Sequence, residues 1–173
     1  MKLLKLGLVG AITIIVIGIV WKYGTKGKVS GVYTGPPGTY EIEVPERISS
    51  TDPFVIKLNV DTKGQSINAV GLHLKFATNR LQILNMDTTK SFCELYPENR
   101  YDNQTGEIKI SCGLPSPGFN GQGTLAVITF EPLSVGTTEL QVLEDSAILL
   151  NDGKATNILK EYPIRDVLIV GNL

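Results

Sequence analysis

The stretch FVIKLNV, residues 54–60, decides the fold class of this chain. Every second residue from Phe54 to Val60 is apolar, whereas Lys57 lies on the opposite parity. This two-residue period is typical of a β-strand that buries one face and exposes the other, since a helix would repeat its apolar residues every three or four positions. The stretch VGLHLKF, residues 70–76, shows the same period, so both stretches are predicted to be strands.

Further short runs of this kind follow along the chain, separated by turn-forming residues such as Asn151-Asp152-Gly153. The predicted strands are Tyr40–Val44, Phe54–Val60, Val70–Phe76, Leu81–Met86, Glu107–Cys112, Leu125–Phe130, Leu140–Leu143, Ala147–Leu150 and Val167–Val170. About nine short strands without a convincing helical period predict an all-β fold. Each sheet has an apolar face that must be covered, so we expect a two-sheet antiparallel β-sandwich.

The first 23 residues differ from the rest, because Leu6–Trp21 is uncharged over 16 residues and has lysines on both sides. We predict that residues 1–23 form a signal anchor, a single transmembrane helix that contacts the bilayer through residues 3–23. A cleaved secretory peptide is an alternative, but bulky residues such as Trp21 stand where small ones are needed for cleavage. A buried helix of a soluble core is disfavoured, since the segment has no polar face.

Residues 24–38 contain five glycines and two prolines, a composition that predicts a spacer between the anchor and a head comprising residues 39–173. The alternative is that Val32 and Tyr33 belong to a first, poorly paired strand of the head. We expect a single-pass protein of the cell membrane with its C-terminal domain extracellular, although the flanking lysines barely discriminate between the two orientations.

Composition excludes several classes of function. The formal net charge of the 173 residues is −1, but residues 1–28 carry +5 and residues 29–173 carry −6. An acidic head without a Lys/Arg cluster is a poor ligand for nucleic acid. The chain has one histidine and two cysteines, and its sequence contains no Cys-x-x-Cys, His-Glu-x-x-His, Gly-x-Ser-x-Gly or phosphate-loop pattern. We therefore expect no enzymatic activity, no metal and no cofactor.

The two cysteines predict a disulfide. If Ser91–Tyr96 and Glu107–Gly113 are the arms of a hairpin with its tip near Asn103, Cys93 and Cys112 become cross-strand neighbours within disulfide range. A disulfide would fit an oxidising exterior, and two buried free thiols are the alternative. Asn103 also begins an Asn-Gln-Thr glycosylation acceptor, a three-residue match that often arises by chance.

Charged side chains on the outward parity of the strands are the candidate partner contacts. The only histidine, His73, has this parity and is expected to be a solvated surface residue. The acidic residues, including Glu144-Asp145, are interpreted as a charged surface rather than a paired catalytic site, because neighbouring strand residues point to opposite faces. The full candidate set is Lys57, His73, Lys75, Glu107 and Lys109.

Several stretches between Pro53 and Leu159 resemble, in order, the cohesin-like domain, a module of a carbohydrate-binding β-sandwich superfamily. They are DPFVIKLNV (52–60), INAV (67–70) followed by LHLKF (72–76) and LQI (81–83), GLPSPGF (113–119), GQGTLAVITF (121–130) and LLNDGKATN (149–157). The resemblance implies a nine-stranded jelly roll whose relatives bind dockerin modules or act as surface-displayed adhesion and scaffold units. The chain departs from the family at Ala77-Thr78, where relatives often have Asp-Pro. No binding residue of the family can be placed here by motif.

Three functions remain open. The leading hypothesis is a membrane-anchored, extracellular, non-catalytic module for protein recognition, surface scaffolding or adhesion, with a dockerin-like protein as partner. The second is polysaccharide binding. The candidate rings for stacking on sugars are Tyr96, Tyr101, Phe119 and Tyr162. The third is a structural subunit of a surface filament or layer, in which strand edges such as Asp166–Val170 pair between heads.

Overall fold

A computed structural model describes residues 33–171, and within them the chain forms eleven β-strands and no helix. The strands are β1 (Thr39–Glu43), β2 (Ile48–Ser49), β3 (Phe54–Asp61), β4 (Ile67–Phe76), β5 (Leu81–Asp87), β6 (Leu95–Asp102), β7 (Glu107–Gly113), β8 (Gln122–Pro132), β9 (Gly136–Val142), β10 (Ala147–Leu150) and β11 (Ile164–Val170).

The strands form two sheets. The smaller one has the order β1-β3-β8-β5, and the larger one has the order β2-β11-β9-β4-β7-β6. The ten-residue strand β4 is the centre of the larger sheet, because β7 pairs along one edge while β10 and β9 share the other. All strand pairs are antiparallel except β2 with β11, which is parallel. The long strand β4 therefore aligns the outward residues of its neighbours.

The apolar faces of the two sheets pack against each other to form one core. The even-numbered residues of β3 from Phe54 to Val60 are all buried, as the two-residue period predicts. At the centre, the ring of Phe130 in the smaller sheet stacks on Phe54 at a centroid distance of 5.7 Å and meets the edge of Phe76 from the larger sheet at 5.4 Å. Phe130 thus joins the two layers through aromatic contacts, which stabilise the core beyond area burial alone.

A hydrogen-bond tie also crosses between the sheets. Tyr40 of β1 is buried, and its hydroxyl lies 2.7 Å from the carbonyl oxygen of Gly71 in β4 and 3.0 Å from that of Ala147 in β10. Burial raises the pKa of the Tyr40 hydroxyl well above its usual value. The hydroxyl therefore stays a donor at physiological pH and holds β1 over the junction of β4 and β10.

The all-β two-sheet sandwich predicted from the sequence is confirmed, and each of the nine predicted strands corresponds to an observed one. Two further strands, β2 and β6, were not predicted. The predicted anchor, residues 1–23, and spacer residues 24–32 lie outside the described residues. Within residues 33–171 no helix has the length and apolar character that a membrane span needs.

Candidate recognition surface

The outer face of β4 and β7 brings four of the predicted partner-facing residues together. In the antiparallel register His73 lies opposite Lys109, and Lys75 lies opposite Glu107. Residues directly opposite each other in a sheet point to the same side, and the alternate residues of both strands are buried. The four side chains therefore lie side by side on the outer side of the larger sheet.

Strand β6 extends this surface by a third row of charges. Arg100 lies opposite Lys109, Glu98 lies opposite Ser111, and Asp102 lies opposite Glu107. We call the outer surface of β4, β7 and β6 the charged face. Its charged residues are Lys75, Lys109, Arg100, Glu98, Asp102 and Glu107, with Asp145 at its border beside His73. Without His73, the charged face has three cationic and four anionic residues, a mixed pattern with a net charge of nearly zero.

Ion pairs connect the charges of this face. The ammonium nitrogen of Lys75 lies 3.6 Å from a carboxylate oxygen of Glu107 and also bonds the carbonyl oxygen of Thr105. In β6, the Nε of Arg100 donates to Glu98 at 2.7 Å. About half of the Arg100 side chain and 43% of the Lys75 side chain are exposed, so both cations can exchange these partners for others at little cost.

His73 is held more firmly than its neighbours. Its Nδ1 lies 2.8 Å from a carboxylate oxygen of Asp145, and its backbone nitrogen donates to the hydroxyl of Ser146 at 3.0 Å. The backbone nitrogen of Leu143 donates to the His73 carbonyl oxygen at 2.8 Å. The segment between β9 and β10 therefore folds against the ring, and only 13% of the side chain remains exposed. The prediction of a solvated histidine is wrong.

The pairing of His73 with Asp145 fixes the direction of the ring. An ionised carboxylate can only accept, so the Nδ1 of His73 carries the proton. This hydrogen bond holds the pKa of Asp145 below its usual value, although partial desolvation opposes the effect. The Nε2 of His73 is buried without a hydrogen-bond partner among the described residues and lies 3.8 Å from Glu107. His73 thus packs beneath the charged face and holds the segment between β9 and β10 in place.

Lys57 does not belong to this surface. It lies on β3 in the smaller sheet, points outward there, and places its ammonium nitrogen 3.7 Å from Glu43 of β1. The five predicted partner-facing residues consequently lie on both outer faces of the sandwich, four on one and Lys57 on the other. Parity along a strand predicted that each faces outward, but it contains no information about which sheet the strand joins.

The disulfide predicted between Cys93 and Cys112 is present, with a Cα–Cα distance of 5.8 Å. It ties the segment before β6 to β7, at one end of the charged face. A hairpin with its tip near Asn103 is present, since β6 and β7 are antiparallel and join through residues 103–106. Its first arm is Leu95–Asp102 rather than the predicted Ser91–Tyr96, so Cys93 lies just before the strand. This covalent tie holds the edge strand β6, whose side chains are mostly exposed, in register with β7.

Asn103 anchors the other end of the hairpin. Its side-chain amide accepts a hydrogen bond from the backbone nitrogen of Ile83 at 2.8 Å and donates to the carbonyl oxygen of Ile83 at 2.9 Å. Ile83 belongs to β5, an edge strand of the smaller sheet, so the amide takes the place of a strand partner at that edge. The predicted glycosylation acceptor is therefore engaged within the fold.

The four predicted sugar-stacking rings do not form a platform. Tyr96 and Tyr162 are half-buried and pack against the core, while Phe119 stacks on Phe92 with ring centroids 4.2 Å apart. The remaining ring, Tyr101, is 38% exposed. The Phe92–Phe119 pair packs over Gly123, where a Cβ atom would lie 2.8 Å from both rings. These two aromatic residues fill one end of the sandwich, a role that sequence reasoning did not assign to Phe92.

Among the described residues, no group of three or more His, Cys, Asp or Glu side chains is placed to hold a metal ion. A shallow groove borders the charged face between the end of β4, with the next residue Ala77, and β9; its lining is Lys75, Phe76, Ala77, Thr137, Thr138, Glu139 and Gln141. The surface that the described residues form thus offers paired charges on exposed strands. Asp145, Arg100, Glu98 and Asp102 belong to the charged face by position, although sequence reasoning did not assign them to a partner surface.

Comparison with solved structures shows that residues 33–171 adopt the fold of cohesin modules. The seventh ScaB type I cohesin of Pseudobacteroides cellulosolvens matches with a TM-score of 0.66 at 16% identity, over 80% of this chain and 96% of that one. The cohesin module of a family 33 glycoside hydrolase from Clostridium perfringens matches with a TM-score of 0.63 at 13% identity, over 80% and 100%.

A third match is the third cohesin of ScaC from Acetivibrio cellulolyticus, solved in complex with the ScaB dockerin. It has a TM-score of 0.60 at 10% identity and covers 76% of this chain and 99% of that one. No protein-family model and no curated protein matches the chain. The fold implied by the sequence resemblance is confirmed, and at these identities the comparisons concern the fold alone.

Proposed function

We propose that this chain is a non-catalytic protein-recognition module that binds a dockerin-like partner through the charged face. The observation that carries the proposal is the arrangement of Lys75, Lys109 and Arg100 among four carboxylates on one exposed sheet surface of a cohesin fold. Several solved cohesins of this fold are in complex with dockerins. A mixed charge pattern on a rigid sheet selects a partner with the complementary pattern.

The support beneath this face suits recognition. Backbone register places Lys75 and Arg100, while the disulfide and the His73–Asp145 bond fix the strand and loop around them. A surface that is ordered before binding loses little conformational entropy on association. The partner therefore meets cations that are already positioned and only weakly paired with their neighbours.

The test compares two matched charge reversals on opposite faces of the sandwich. Lys75 and Lys57 are both exposed strand lysines, and each is paired with a glutamate. A partner captured from culture supernatant and identified by mass spectrometry is titrated by calorimetry against Lys75→Glu and Lys57→Glu, after each variant is shown to unfold like the parent protein. We expect Lys75→Glu to weaken binding at least tenfold and Lys57→Glu to leave it unchanged. Equal effects would reject the charged face.

The proposal also includes the cellular location of the head. Residues 1–23 have the length and flanking charges of a membrane anchor, and a disulfide fits an oxidising compartment. We propose that the head is displayed outside the cytoplasm as part of a single-pass membrane protein. Protease added to intact cells should then remove the head while cytoplasmic markers survive, and a protected head would overturn this placement.

Polysaccharide binding and filament assembly lack a specific observation in their favour. Sugar platforms need exposed, coplanar rings, and three of the four candidate rings are packed within the fold. Affinity electrophoresis on a panel of glycans distinguishes the first alternative, because a sugar-binding head would be retarded. Electron microscopy of native cells distinguishes the second, because filaments would replace single anchored heads.

A further inference from the structure

The chain segment that contains β1 runs beside the segment that leads into β11, where the two sheets meet. They are bridged at two places: Gly38 pairs with Leu159, and β2 pairs with the end of β11 through Ile48 and Ile169. Both contacts are parallel, and both join residues that are 121 positions apart. The chain segments 39–47 and 160–168 therefore lie in a common parallel register that is closed at both ends.

Between these two contacts the ladder is open. No main-chain hydrogen bond joins residues 39–47 to residues 160–168 in the part of the chain that the structure describes. The common register would place Pro163 opposite Ile42 and Pro45 opposite Asp166. Proline has no backbone N–H and cannot donate to a ladder, which explains why the pairing stops. We call this open interval, residues 39–47 and 160–168, the seam.

The seam has the form of a groove with a strand edge on each side. Tyr40–Val44 forms one wall and Pro163–Arg165 forms the other. Within residues 33–171, β1 pairs only with β3, and β11 pairs with β9 along its opposite edge, so both walls present main-chain groups without a strand partner from this part of the chain. The buried side chain of Ile42 contributes apolar lining, and Ile164 is 55% exposed at the rim.

The charges of the seam are predominantly acidic. Residues 39–47 and 160–168 together contain five acidic and three basic residues, a net charge of −2. Glu43 is engaged by Lys57 at 3.7 Å and by the amide of Asn59 at 2.6 Å. Glu41 is exposed and has no cationic side chain within 4 Å among the described residues. It is thus available to a positive charge from outside.

We propose that the seam binds an extended basic peptide segment of another protein, which adds a strand between residues 39–47 and residues 160–168. The backbone of this segment would bond to both open edges, as in other cases of strand addition. Its alternate apolar side chains would lie over Ile42 and Ile164, and its basic side chains would face Glu41. This site lies at the junction of the sheets. Because β9 separates Ile164 and Arg165 of β11 from β4, the site is distinct from the charged face and does not depend on its function.

The probe is a blocked hexapeptide of alternating valine and lysine, added to a ¹⁵N-labelled fragment of residues 29–173. This fragment contains the entire buried apolar cluster of the described residues, and its amide spectrum reports whether it is folded. We expect shift changes confined to residues 39–47 and 160–168. An alternating valine and glutamate peptide, and a lysine peptide N-methylated at alternate residues, should both bind at least tenfold more weakly.

Variants on the two walls of the seam should change the affinity for the lysine peptide in opposite directions. Glu41→Lys should weaken binding of the lysine peptide at least tenfold, Arg165→Glu should strengthen it, and the exposed Glu94→Lys should leave it unchanged. The proposal is overturned if shifts are absent or lie elsewhere, or if the N-methylated peptide binds equally well. It is also overturned if sedimentation shows a peptide-free dimer that Glu41→Lys dissociates, because a second copy would then occupy the seam.

Discussion

Reduction of the Cys93–Cys112 disulfide should destabilise the head by about 3 kcal/mol. The bond closes a loop with a sequence separation of 19. In the chain-entropy model a loop of this size restricts the unfolded chain by about 11 cal/mol/K, or about 3.3 kcal/mol at 25 °C. For a head of this size that corresponds to a melting temperature lower by roughly 10 °C. The loss is large relative to the total stability of a typical domain.

The assay is equilibrium unfolding in guanidinium chloride with and without dithiothreitol. The matched control is Cys93→Ala with Cys112→Val, which keeps an apolar side chain at the buried position 112 and removes the bond. This variant should unfold near the midpoint of the reduced parent protein and should not respond to dithiothreitol. If the oxidised and reduced parent proteins share one midpoint, the hairpin is already closed in the unfolded state and the entropic argument is refuted.

Three further predictions concern stability. Asn103→Ala should lower the free energy of unfolding by about 1–3 kcal/mol, because two backbone bonds at the edge of β5 are lost; chemical denaturation measures it. Bonds from Gln122 and Lys63 lower the pKa of Asp61 to about 2. Asp61 therefore stabilises the head above pH ~3.8, and this stabilisation is lost as the pH falls towards 2. Its magnitude is on the order of 1–2 kcal/mol, because Lys63 is half-exposed and solvent weakens the pair. Asp61→Asn should flatten the pH dependence of the free energy of unfolding, measured by denaturation curves. Gly123→Val should displace the Phe92–Phe119 pair, destabilise the head by about 1–3 kcal/mol and lower its melting temperature. The control is Gly64→Ala, where no atom lies within 4 Å of the new Cβ, so this variant should cost only the strain of its positive φ.

The sequence predicted the strands that bury one face and missed those that bury none. Strand β3 alternates between buried and exposed residues, so its two-residue period was visible in the sequence. Strand β6 is an edge strand with mostly exposed side chains and contains Pro97, so it has no such period. Strand β2 has two residues, too few for a pattern. The cysteine pair pointed to a hairpin with its tip near Asn103, but the first arm was placed at Ser91–Tyr96, whereas β6 covers Leu95–Asp102.

Prediction of the surface was limited by contacts between distant segments. The parity of His73 correctly places it on the outer side of β4, but the covering loop comes from residues 143–146, some 70 positions away. The same limit applies to Lys57, whose strand joins the other sheet. Local periodicity gives the face of a residue, whereas tertiary packing decides what covers that face and which surface it joins.

These differences decide which side chains can test recognition. Replacement of His73 would break its bond with Asp145 and remove a mostly buried ring against which the segment between β9 and β10 packs, so any loss of binding would combine contact and stability effects. Lys75 and Arg100 have weak, exposed ion pairs, and charge reversal there changes the surface while the backbone register persists. Because opposite charges nearly cancel across the charged face, this face itself adds little long-range attraction, and discrimination between partners depends on how individual charges align. A single reversal at Lys75 should therefore reduce affinity through a faster dissociation rate more than through a slower association rate.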